Sequence, residues 1–117
     1  MIKINFRGKS FMNFTTYTQK ELQDLKDIQQ LNPKEFGIRK KIDIFLAKNN
    51  NNELSLVLHV VQKSRFLQKD VDKIEEISHI IEVHEKKVFL KKYILIEAPL
   101  CSKAKVKFET LAWSVFI

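Results

Sequence analysis

Residues 40–63 read KKIDIFLAKNNNNELSLVLHVVQK, and the fold is decided there. Two apolar runs flank a tract of asparagines. In the first, predicted to span Phe36 to Ala47, Ile42, Ile44 and Leu46 fall on one face of a strand and Asp43 and Phe45 on the other. The second, Leu54 to Lys63, is apolar on both faces, which predicts burial inside a sheet. Asparagine tolerates left-handed backbone, so Asn49 to Asn52 make a polar turn and the pair a β-hairpin. Asp43 in the first run and Lys63 at the end of the second are ionisable residues where apolar ones would cost less. A carboxylate within a strand calls for a hydrogen-bonded partner, such as Arg39 or Lys40, or for a metal. Counting back by two, Val61, His59 and Val57 share the face of Lys63.

Upstream, Ile2, Ile4 and Phe6 alternate with polar residues, as in an extended arm over residues 1–17. Thr18-Gln19-Lys20-Glu21 has the form of a capping box, and Leu22, Leu25, Ile28 and Leu31 follow at helical spacing. This predicts a first helix that Asn32-Pro33 ends. Downstream, Val71, Ile74, Ile77 and Ile81 form the stripe of a helix from Asp70 to about His84. Tyr93 to Ile96 reads as a short buried strand, stopped by Pro99. Ser102 is a candidate cap for a third helix with Ala104, Phe108, Leu111 and Ala112 on its apolar face, and Ser114 to Ile117 is a last strand. After the hairpin the pattern alternates helix and strand, which predicts right-handed crossovers and parallel strands beside the hairpin. The expected class is α/β: one domain, 1–117, with a mixed central sheet flanked by helices on both faces.

Composition narrows the function. A chain of 117 residues holds a single core, and 44% hydrophobic with 30% charged residues is an ordinary globular balance. The formal charge of +7 favours an anionic partner, nucleic acid before membrane. One cysteine, Cys101, excludes an internal disulfide and a Cys-cluster zinc site, and reads as a small packed residue. No apolar run approaches the roughly 20 residues of a membrane span, and polar residues interrupt the N-terminus too often for a signal peptide. An intracellular, cytoplasmic setting is expected. Two glycines leave no phosphate-binding glycine loop. His59, His79 and His84 are not spaced as a metal cluster, and each reads as a satisfied or exposed histidine.

Taken together, IDIFLA with Asp43, VVQKSR with Lys63, and the tail KDVDKIEEI, KYILI and SKAKVKFETL resemble the restriction-endonuclease-like PD-(D/E)XK nuclease superfamily over residues 18–117. The resemblance implies an α-β-β-α-β-α-β core and a metal-dependent DNA endonuclease. Asp43 would hold Mg²⁺ or Mn²⁺, and Lys63 would stand beside the scissile phosphate. The family's acid-X-Lys motif is incomplete, because Val61 occupies the acid's position and cannot hold a cation. Glu21, in the predicted first helix, is the candidate for a second metal ligand, since some family members use such an acid. Arg65, Lys103, Lys105 and Lys107 are the candidate phosphate contacts. The alternative is a catalytically inactive nuclease-fold module that binds nucleic acid or a protein partner, the latter through Phe66 and Trp113. A homodimer or a larger assembly is compatible with either.

Overall fold

A computed structural model of the protein describes residues 24–116. The asparagine tract closes the hairpin through side chains as well as backbone. Asn49 Oδ1 accepts the N–H groups of Asn51 and Glu53, each at 2.9 Å, and Asn52 takes the left-handed conformation at φ 60°. The turn joins β2 (Asp43–Lys48) to β3 (Leu54–Val61) in an antiparallel ladder that sets Asp43 opposite His59. Strand β2 begins at Asp43 rather than Phe36. Pro33–Phe36 form a single 3-10 turn, with Asn32 accepting from Lys34 N–H and Gly37 closing it at φ 72°. Pro33 lacks an N–H and Gly37 reverses the chain, so the strand predicted from Phe36 onward cannot start before this turn is complete.

The predicted first helix is corrected where it can be seen. Lys26–Leu31 form a strand, β1, paired antiparallel with β2. Its leucine and isoleucine spacing of three imitated a helical stripe. A bulge between Lys26 and Gln29, with Asp27 at φ 53°, inserts one residue, so Leu25 and Ile28 reach the same side of the sheet. Leu31, three residues further on a regular strand, then turns to the opposite side. The arm, the capping box Thr18 to Glu21 and Ile117 lie outside the described residues.

The later elements follow the expected alternation. Helix α1 (Gln68–Glu85) starts where the Asp70 carboxylate accepts the N–H of Leu67 at 2.8 Å, and its buried stripe is Val71, Ile74, Ile77 and Ile81. Strand β4 (Lys91–Glu97), helix α2 (Ser102–Thr110) and strand β5 (Trp113–Phe116) are the remaining described elements. Cys101 rather than Ser102 stands at the N-cap of α2, only partly buried, and Leu111 lies beyond the helix end. The five strands lie in sequence order, β1-β2-β3-β4-β5, with β3/β4 and β4/β5 parallel. The architecture is therefore α/β with a mixed sheet.

Two crossovers of the same hand, taken in the same direction across the sheet, leave both helices on one side. Accordingly α1 and α2 cover the face carrying Ile44, Leu46, Leu56, Leu58, Ile94 and Ile96, and Phe66 and Trp113 are buried within that core. Phe66 and Trp113 are thus packing residues, not surface contacts for a protein partner. The opposite face carries Leu25, Phe45, Ala47, Val57, Tyr93 and Leu95. Among the described residues no helix packs there, a departure from the expected two-sided cover. No described helix is long and apolar enough to cross a membrane.

Candidate nucleic-acid interface

The face without a described helix brings three ionisable side chains together where the parallel strands end. Asp43 opens β2, His59 lies directly opposite it near the end of β3, and Glu97 ends β4. Glu97 is two residues beyond Leu95, the register partner of His59, so it shares that face; its own register partner is Val61. The acid that the motif lacks at 61 therefore has a neighbour one strand away. No local pattern in the sequence connects residues 61 and 97, because the parallel register of β3 and β4 alone makes them adjacent.

His59 is clamped. Its Nδ1 lies 3.1 Å from Asp43 Oδ2, and its Nε2 contacts Glu97 Oε2. Each ring nitrogen thus lies within hydrogen-bonding reach of a carboxylate, and both donate when the ring is protonated. The imidazole is 11% exposed, while the Asp43 and Glu97 side chains are 49% and 58% exposed. Burial, the largest single influence, draws the His59 pKa down; hydrogen bonds and charge from Asp43 and Glu97 together outweigh it and raise the pKa above its ordinary value.

This shift has a stability consequence. A histidine whose folded pKa lies above its unfolded one stabilises the fold fully below the unfolded pKa, and that contribution is lost as pH rises through the folded pKa. Raising the pH from 6 towards 9, to use round values about the ordinary histidine pKa of roughly 6.5, should lower the melting temperature of the wild type more than that of His59→Asn. Thermal melts by circular dichroism measure this. Parallel pH slopes for the two proteins would contradict the clamp.

Beside the clamp lies a cleft of about 900 Å³, lined by Asp43, His59 and Val61 on the strands and by Lys34, Arg39, Lys40 and Lys41 on the segment between β1 and β2. Lys40 is steadied there, its Nζ reaching Gln62 Oε1 at 3.4 Å. A continuous strand over residues 36–47 would send Arg39, Lys40 and Lys41 to alternating faces; the 3-10 turn at Pro33–Phe36 and the later start of β2 at Asp43 instead leave all three on one rim. The signal was present as Arg39-Lys40-Lys41 immediately before Asp43.

The other expected site residues are distributed differently. Lys63 lies exposed beyond the end of β3 and is not among the described residues lining the cleft. Arg65 and Lys103 gather at the start of α2 beside Cys101. The N–H groups of Ala104 and Lys103, followed by the charges of Arg65 and Lys103, hold its thiol below the usual thiol pKa. Lys105 is exposed on α2, and Lys107 forms an ion pair with Asp72 of α1 at 2.7 Å. Glu21 lies outside the described residues. His79 and His84 are exposed, His84 resting edge-on against Phe36.

The described donors do not fit a divalent cation at the expected position. Val61 offers no ligand atom and is 54% exposed, and the Asp43 and Glu97 oxygens that face each other have an imidazole ring between them. Among the described residues, no group of three acidic, histidine or cysteine side chains is arranged to hold a metal.

The sequence matches no protein-family model and no curated protein. Two solved structures are similar. One is a repair endonuclease from Pyrococcus abyssi, at 10% identity and TM-score 0.48, covering 78% of this chain and 38% of that one. The other is EndoMS in its apo form, at 12% identity and TM-score 0.52, covering 95% of this chain and 48% of that one. This chain thus spans less than half the length of either structure. What it shares with EndoMS is the arrangement of sheet and helices, and the fold is restriction-endonuclease-like.

Proposed function

We propose that this chain is a nuclease-fold module that engages nucleic acid, DNA foremost, in the cleft between the β1–β2 segment and the ends of β3 and β4. One observation carries the reading: Lys34, Arg39, Lys40 and Lys41 line a single cleft at the carboxyl ends of the parallel strands, where open α/β sheets generally receive their ligands. Four cations on one rim suit a phosphodiester backbone, which they would grip by displacing condensed counterions without reading sequence. Arg65 and Lys103 extend the positive surface beyond β3. The restriction-endonuclease-like fold is compatible with this use and does not by itself assign it.

The second reading is hydrolysis of the bound phosphodiester, with Asp43 and Lys63 acting alongside Mg²⁺ or Mn²⁺. The placement of Asp43 on the cleft wall favours it; the exposed Lys63 outside the cleft and the apolar Val61 weigh against it. Fluorescence anisotropy with double- and single-stranded oligonucleotides over a salt series tests binding. Plasmid nicking with added Mg²⁺ or Mn²⁺, beside Asp43→Ala and Lys63→Ala, tests cutting. Binding that weakens steeply with salt, without cleavage, is the expected result. Absence of binding at low salt would refute the first reading, and cleavage abolished in both variants would establish the second.

A further inference from the structure

We infer that the loop between α1 and β4 is a docking tip for the surface of a bilayer with anionic headgroups: Val88 and Leu90 enter the apolar layer while Lys86, Lys87 and Lys91 meet the phosphates. The inference is independent of the cleft and of any role for nucleic acid there.

The loop reads KKVFLKK over residues 86–92, and its shape is fixed from within. Lys86 ends α1 in the left-handed conformation at φ 56°. Its N–H donates to the Val83 carbonyl at 3.3 Å, and that of Lys87 to the Glu82 carbonyl at 3.1 Å. Phe89 turns into the core, and its N–H donates to the Glu82 carboxylate at 3.0 Å. Leu90 N–H donates to the Leu54 carbonyl at the start of β3, at 3.1 Å. The residues on either side of Phe89 stand outward: Val88 is 75% exposed and Leu90 62%. Val83, on the last turn of α1, is exposed as well. Scattered aliphatic residues on a surface need no explanation, whereas a pair presented by a braced loop between lysines is an interaction feature.

Charge selects the partner. Among the described residues, Lys86, Lys87 and Lys91 are exposed and outside every ion pair. The acids nearby are engaged: Glu82 by Phe89 N–H, Glu85 by His84 and Glu53 by Asn49. Lys92 is taken up over the ring of Trp113. The tip is therefore an apolar centre in a cationic frame. Protein interfaces are poor in lysine around their apolar cores, and a nucleic-acid backbone would engage the lysines while leaving the aliphatic pair in water. A bilayer surface satisfies both parts. The aliphatic side chains leave water beneath the headgroups, and each lysine stem lies along the apolar layer with its ammonium at phosphate level. The tip lies at the amino ends of the parallel strands, the length of the eight-residue β3 away from Val61 and the cleft. Both surfaces can therefore be engaged at once.

Cosedimentation with vesicles of phosphatidylcholine, with and without roughly one-third phosphatidylserine, tests the inference. The wild type should bind the anionic vesicles and not the neutral ones. Val88→Ser with Leu90→Ser, which keeps every lysine, should weaken binding roughly 10-fold. Lys86→Gln, Lys87→Gln and Lys91→Gln combined should weaken it roughly 100-fold, about 5-fold for each lysine. All five side chains are exposed, so both variants should keep the wild-type melting temperature. Arg39→Ala, Lys40→Ala and Lys41→Ala combined, which alter the cleft, should cost less than either.

Failure of the wild type to bind anionic vesicles would overturn the inference. So would unchanged binding by Val88→Ser with Leu90→Ser, since a basic protein held by charge alone has no use for the aliphatic pair, and so would a larger loss from the cleft variant. If the loop lysines prove necessary for oligonucleotide binding while vesicles are ignored, the loop belongs to a nucleic-acid surface and the lipid inference falls.

Discussion

Phe108→Ala should lower the free energy of unfolding by about 3–5 kcal/mol, the usual range for removing a buried aromatic ring. Phe108 is fully buried, and its ring centroid lies 5.7 Å from those of both Phe66 and Trp113. It therefore joins α2 at once to the segment before α1 and to the last strand. The loss combines the transfer free energy of the ring with the cavity left among neighbours that are themselves fixed. Trp113 is held by its indole N–H donating to Glu75 and by Lys92 Nζ 5.7 Å from its ring centre, so it cannot readily swing inward to fill the space. Against a typical total of roughly 5–15 kcal/mol, the variant should be near the limit of folding at room temperature. Urea unfolding followed by Trp113 fluorescence measures it. Val106→Ala is the control, because Val106 on the same helix is mostly exposed and should change stability by no more than about 0.5 kcal/mol. Equal losses in the two variants would mean that α2 packs by another face.

The second large effect concerns the cleft. Arg39→Ala, Lys40→Ala and Lys41→Ala combined should weaken oligonucleotide binding by roughly 100-fold at low salt and reduce the slope of log affinity against log salt by about three, near one per phosphate contact removed. The loss should be similar for unrelated sequences, since phosphate contacts carry no base information. Removing Lys103, Lys105 and Lys107 together should matter less, because Lys107 is already paired with Asp72. Anisotropy titrations at several salt concentrations compare the two triple variants. A larger loss from the α2 set would move the interface away from the cleft.

These two predictions draw on different kinds of legibility. The core around Phe108 could be read from the chain because helix and strand periods are local: Val71, Ile74, Ile77 and Ile81 announce α1, and the alternation at 42–46 announces β2. Strand β1 could not be read in this way. Its bulge at Asp27 added one residue to a period of two, and three is also a helical spacing. The site was half legible. Asp43 and His59 were placed on the correct face by counting pleats, because an antiparallel hairpin with a short turn has little freedom of register. Glu97 was not found, because its adjacency to Val61 depends on how a parallel strand docks after an 18-residue helix. The cations at 39–41 were hidden by a misplaced strand start, a matter of one 3-10 turn at Pro33–Phe36.

The sequential strand order has a consequence for synthesis. Among the described residues each strand pairs with the one made just before it, so these five strands can be laid down in order as the chain emerges, none of them waiting for a partner made later than its neighbour. Asp43, His59 and Glu97 come from three consecutive strands. A nascent chain that has emerged only as far as Glu97 already contains, in pairing order, every residue of the clamp. The described elements that follow, α2 and β5, then close the helical face over Phe66 and Trp113 without having to thread past the site.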